Sequence, residues 1–184
     1  MAVVAITPDS KDWTWVLDRR CPECGFDTST CQRDQISPLI LGSAQAWRTI
    51  LADDPGRLRE RARDDRWSPL EYACHVRDVF RLFGQRLELM LTLEDPTYPN
   101  WDQDRTAIED RYQDQDPAAV SAELLTAASS LAEAFDRVEG AAWGRRGSRS
   151  DGAQFTVETF GRYMIHDPVH HLHDVTTDLS TRPG

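Results

Sequence analysis

Between Trp67 and Leu93 the chain reads WSPLEYACHVRDVFRLFGQRLELMLTL, and this run leaves little freedom for the fold. Ser68, Pro69 and Glu71 combine a capping box with proline at the first helical position, which is a strong start for a helix. From there Leu70, Ala73, Val76, Phe80, Phe83, Leu87 and Met90 recur at helical spacing and make one apolar stripe. Tyr72, Val79 and Leu82 place His75 on an adjoining apolar face, so this imidazole also points inward. A helix of about seven turns with so wide an apolar surface requires other helices against it.

Three further segments supply them. The first runs from Asp34 or Ser37 to Asp53, with Ser37 and Pro38 suited to N-cap and N1 and with Ile36, Ile40, Trp47, Ile50 and Leu51 at helical spacing. Asp116 and Pro117 open a third helix reaching about Glu139, in which Val120, Leu124, Ala127, Leu131, Phe135 and Val138 keep the period. Thr156 offers an N-cap for a fourth, extending to Asp178. The Arg-rich stretch RLRERARDD reads as a solvated turn, and Gly152 marks a turn in the basic loop GAAWGRRGSRSDGAQF. The segment from Glu94 to Pro117 is too polar for a core element and too long for a tight turn, so it reads as a crossover with a short helix around Arg105 to Tyr112. With no convincing strand between them, these segments predict an all-α four-helix bundle with a long crossover between helices 2 and 3, spanning residues 34–180 behind an irregular N-terminal arm, residues 1–33.

Composition removes several functional classes. A formal net charge of -10 speaks against a nucleic-acid groove, which needs clustered Lys and Arg on one face. No apolar run is long enough to span a bilayer, and the amino terminus MAVVAITPDSKDW lacks the basic start and apolar block of a signal peptide, so a cytoplasmic protein without membrane partners is expected. Four cysteines do not make a disulfide scaffold, and reduced thiols or thiolate ligands are the default. In the arm, where WTWVL reads as loop, Cys21, Cys24 and Cys31 give C-x2-C-x6-C, half of a zinc-ribbon pattern. A structural zinc on these three thiols would need a fourth ligand, Asp27 or a residue from elsewhere. No βαβ pattern surrounds the CPEC to make it a thioredoxin-type site.

The chemistry is concentrated in TVETFGRYMIHDPVHHLHDVTTD, which holds four of the five histidines. On a helix His166, His170 and His173 fall at i, i+4 and i+7 and line one stripe beside Ile165, Val169 and Leu172, while His171 points elsewhere. Inward imidazoles need partners, and a transition metal accounts best for several of them. His75 against His166 and His170 makes a three-imidazole site with positions open for a small-molecule substrate. A bound water or a small thiolate would be its nucleophile. Asp167, Asp174 and Asp78 are candidates to orient the ligand rings, and His173, Asp167 and Asp174 to assist catalysis. Pro168 is expected to kink or loosen the helix. Taken singly, each histidine is more often a hydrogen-bonded core or surface residue than a ligand. The HExxH motif, a phosphate-binding glycine loop and the G-x-S-x-G turn are absent. Tyr98, Trp101 and Trp143, aromatics in loops, are candidates to wall a pocket or to cover core edges.

WSPLEYACHVRDV followed far downstream by HDPVHHLHDV resembles the DinB-like superfamily, the DinB/YfiT-like metalloenzymes, over about Asp34 to Thr177. The resemblance implies an up-down-down-up bundle, a divalent metal (zinc, nickel or iron) on His75, His166 and His170, and a cytoplasmic homodimer. It also implies thiol S-transferase, isomerase or hydrolase activity, in some members with mycothiol as the low-molecular-weight thiol. The mycothiol-dependent isomerases use a carboxylate within the ligand set, whereas this chain presents histidine at each matched position. The competing expectations are a noncatalytic metal-binding or stress-response protein and a helical interaction module whose cysteine arm binds zinc and a partner.

Overall fold

A computed structural model describes residues 12–180. Most of the MAVVAITPDSKDW terminus read above lies outside the described residues. Four long helices make the body: α1 (Arg33–Ile50), α3 (Pro69–Thr92), α5 (Pro117–Asp136) and α6 (Val157–Ser180), with short α2 (Pro55–Arg59) and α4 (Gln103–Glu109) in the connections. The sequence and structure agree most closely where a cap states the start. Ser68 Oγ accepts from the Glu71 amide while the Glu71 carboxylate accepts from the Ser68 amide. Asp116 accepts from the Ala119 amide at the head of α5, and Thr156 from the Thr159 amide at the head of α6. At α1 the start falls beside Asp34, the earlier of the two expected, and not at Ser37. Gln32 and Gln35 form the capping box, the helix begins at Arg33, and Pro38 lies inside it. α6 likewise runs through the buried Pro168 as one helix.

Side-chain pairs fix the helix directions. Ser37 near the start of α1 donates to the Ala132 carbonyl near the end of α5, so these two are antiparallel. Arg77 meets Glu123 and Gly84 faces Leu131, so α3 and α5 run parallel. His75 meets Asp167 while Phe83 stacks on Phe160, which makes α6 antiparallel to α3. Arg33 pairs with Glu158 at the heads of α1 and α6. Thus α1 and α6 run one way, and α3 and α5 the other. Trp47, Leu70, Phe80, Leu87, Leu124, Phe135 and Phe160 fill one continuous core.

Two connections differ from the sequence expectation. The crossover contributes a short strand, β1 (Thr97–Tyr98), and the glycine-rich loop folds into β2 (Arg146–Arg149) and β3 (Gln154–Thr156), together a small sheet in the order β1-β2-β3. Gly152, at φ +98°, makes the hairpin turn, and β1 joins β2 in parallel from about fifty residues away. The arm is also more regular than a loop: Trp13–Leu17 and Thr28–Thr30 are 3-10 turns that pack on α6.

Candidate metal centre

Five residues of α6, from His166 to His170, with His171 beyond them, present two donor pairs. His166 and His170 are four apart, as are Asp167 and His171, and successive residues on a helix are turned by about 100°. The two pairs therefore face different neighbours. Asp167 and His171 face α3, where His75 is fully buried, with Nε2 3.2 and 3.3 Å from the Asp167 oxygens. His171 Nε2 lies 3.8 Å from Asp167 Oδ1, and the donor atoms of His75, Asp167 and His171 all fall within 4.8 Å of one another. His166 and His170 face the arm. Cys21 Sγ is 3.7 Å from His170 Nδ1 and Cys24 Sγ 3.7 Å from His166 Nε2.

The structure thus divides the sequence-derived set. His166 and His170 come together, but His75 gathers with Asp167 and His171 instead, and His171 does not point away. His173 is exposed and belongs to neither group. Asp78 lies elsewhere as well: Arg77, Arg81 and the Tyr112 hydroxyl, at 2.6 Å, hold it against the crossover. Asp174 does stand behind the rings, its Oδ2 3.6 Å from both His170 Nε2 and His171 Nδ1. Cys31 does not join Cys21 and Cys24. The turn at Thr28–Thr30 delivers it to the bundle core, where its thiol meets the Gln32 carbonyl, and Asp27 is occupied in capping that turn. All four cysteines are free.

Aromatic walls hold the deeper group. His75 is stacked on Trp101 at 5.2 Å, with Trp67 tilted against it at 5.1 Å, and the Trp101 indole N–H donates to Thr106 Oγ1. Tyr72 lies 4.7 Å from the His171 ring. Burial opposes the charge on Asp167, but His75 and His171 outweigh it and hold the carboxyl well below its ordinary range. Burial, with His170 alongside, pushes His166 down to about 4, so this imidazole is neutral at pH 7 with a lone pair to give.

His166, Asp167, His170 and His171 line a cleft of about 600 Å³, whose walls also include Trp13, Trp67, Trp101, Arg86 and Arg149. Arg149 is paired with Asp151 and the Tyr163 hydroxyl. Arg86 is buried, donates to the Pro99 carbonyl and makes no ion pair among the described residues.

The donor set suits a cation. Two ligands at 2.0–2.1 Å in tetrahedral disposition stand roughly 3.3 Å apart, close to the separation of His75 Nε2 from Asp167. Two imidazoles and one carboxylate are also the donor types of the facial sets that leave positions open for exchange.

Comparison with known proteins gives the same picture of the fold. YfiT from Bacillus subtilis, described as a probable metal-dependent hydrolase with an unusual four-helix bundle topology, superposes with a TM-score of 0.72 at 18% identity, over 81% of this chain and 88% of that one. No curated protein matches the sequence. The family model for the DinB superfamily matches residues 43–175, well over half of the chain and the whole of α3, α5 and the histidine-bearing part of α6, and the chain belongs to that superfamily.

Proposed function

We propose that the chain is a metal-dependent enzyme, a hydrolase or thiol S-transferase, whose divalent cation is held by His75, Asp167 and His171. The observation that carries this reading is the convergence of those three donors, from two helices, with Asp167 and His171 lining an accessible cleft and His75 buried behind them. A cation bound there would lower the pKa of a water or thiol beside it toward neutrality, and so supply a nucleophile at cell pH. The remaining work falls to side chains. Trp67 and Trp101 pack against the His75 ring, and Asp174 aims His171 through its Nδ1. Arg86, desolvated and without an acidic partner among the described residues, suits a substrate bearing an anionic group. Hydrolysis is the activity attributed to YfiT. Thiol transfer is favoured by a different observation: Asp167 places a carboxylate in the ligand set, as in the mycothiol-dependent isomerases that the family resemblance brings in.

The test is to load stripped protein with zinc, nickel or iron and assay two panels, esters and amides in water, and electrophiles with mycothiol. Metal-dependent turnover that falls at least a hundredfold in Asp167→Asn and His171→Ala is the expected result. Equal rates with and without metal on both panels would reduce the protein to a noncatalytic metal binder.

A further inference from the structure

The second donor group has no part in that mechanism, and its composition is different. Cys21, Cys24, His166 and His170 offer four donor atoms within 4.8 Å of one another, two sulfurs from the arm and two nitrogens from α6. Cys21, His166 and His170 are buried and Cys24 partly so. We infer that these four residues form a closed, structural zinc site of the Cys2His2 type, which fastens the N-terminal arm to the bundle beside the catalytic centre and independently of it.

The geometry supports zinc in particular. Ligands at about 2.3 Å for sulfur and 2.0–2.1 Å for nitrogen, in a tetrahedron, stand roughly 3.6 Å apart along an S–N edge. Two of the four S–N separations here are 3.7 Å, across 149 and 142 residues of chain, and all fall within 4.8 Å. The arm is shaped for it. Cys21, Pro22, Glu23 and Cys24 form a tight turn closed by the Gly25 amide donating to the Cys21 carbonyl, and Gly25 turns the chain back at φ +75°. The Cys21 amide then donates to the Phe26 carbonyl, completing a knuckle with both thiols on one side. The ring behind the site is also oriented: His170 turns Nδ1 to the sulfur and Nε2 toward Glu23 and Asp174, at 3.5 and 3.6 Å. A carboxylate behind a ligating imidazole fixes its tautomer and increases its basicity. The Trp13 ring covers His166 and His170 at 5.4 and 5.1 Å. With four protein ligands and an aromatic lid, no position is left for substrate, which is the mark of a structural site.

The test is made on the full chain. X-ray absorption at the zinc edge should show a sulfur shell near 2.3 Å in the wild type. The cobalt-substituted protein should show thiolate-to-cobalt charge-transfer absorption. The Cys21→Ser/Cys24→Ser variant should lose the sulfur shell and one equivalent of metal. His75→Ala/His171→Ala, which disables only the other centre, should keep both. A wild type without sulfur at the zinc edge would overturn the inference. So would a disulfide between Cys21 and Cys24, seen as the loss of two hydrogens in the intact mass. Sulfur ligation abolished by the His75 and His171 changes would likewise overturn it, by showing one centre instead of two. The spectroscopic arm uses wild-type protein, so misfolding of the serine variant does not remove the test.

Discussion

Asp174 stands between two imidazoles that serve different neighbours, and Arg66 lies 3.7 Å from its other oxygen. Burial opposes its charge, but His171 and His170 outweigh it and hold the carboxyl below its ordinary range. Removing that carboxylate leaves every direct donor in place while loosening the rings. Asp174→Asn should therefore weaken metal binding at both centres by roughly 10–100-fold with the fold intact, measured by chelator competition alongside circular dichroism. Asp78 gives a prediction of another kind. Burial pushes its pKa up, but hydrogen bonds from Arg77 and Tyr112 more than offset this and leave it depressed in the folded chain. A carboxyl with a lowered folded pKa contributes stability in full above its unfolded value near 4, and that contribution fades as pH falls through the folded value. Asp78→Asn should accordingly cost about 2 kcal/mol at pH 7 and progressively less as pH is lowered below about 4, by denaturant titration across that range.

Among the elements, α3 depends most visibly on its cap. Ser68 is fully buried and its exchange with Glu71 satisfies two amides that the helix itself cannot, so Ser68→Ala should destabilise the protein by about 1 kcal/mol. Chemical denaturation checks it. Such caps, with the helical period behind them, are local signals, which is why α3, α5 and α6 were legible in the sequence to within a few residues. The sheet was not, because the pairing of Thr97 with Ser148 is decided by tertiary contact between two polar loops. Nor did Ser37 and Pro38 mark the start of α1, since Gln32, a weaker cap by type, begins it five residues earlier than a Pro38 start would have. The arm makes a prediction of its own scale. Its 3-10 turns rest on α6, so chelation should expose the amides of residues 12–31 to hydrogen exchange while those of α3 and α5 stay protected. Equal protection of the arm with and without chelator would contradict a metal fastening.

For the whole molecule, the core is continuous and apolar and does not depend on a cation, so stripped protein should remain helical. Metal that binds only the folded chain should nonetheless raise its stability by about 2.7 kcal/mol at a free concentration a hundred times Kd, read as a rise in Tm with added zinc. The candidate centres were half visible beforehand. The histidine-rich turn of α6 and the inward His75 stand out by spacing, but spacing cannot say which of two interleaved pairs meets α3. That depends on how the bundle rotates α6, and it separates His75 from His166 and His170. The meeting of CPEC with HxxxH is likewise a property of the folded chain alone, across more than 140 residues. One consequence follows from both pairs riding on the same two turns. Deleting a single residue between Val157 and His166 would swing them together by about 100°, vacating both stations at once. Descendants of this chain can therefore discard one station by replacing a side chain and keep the other, but any change of phase in the helix forfeits the two jointly.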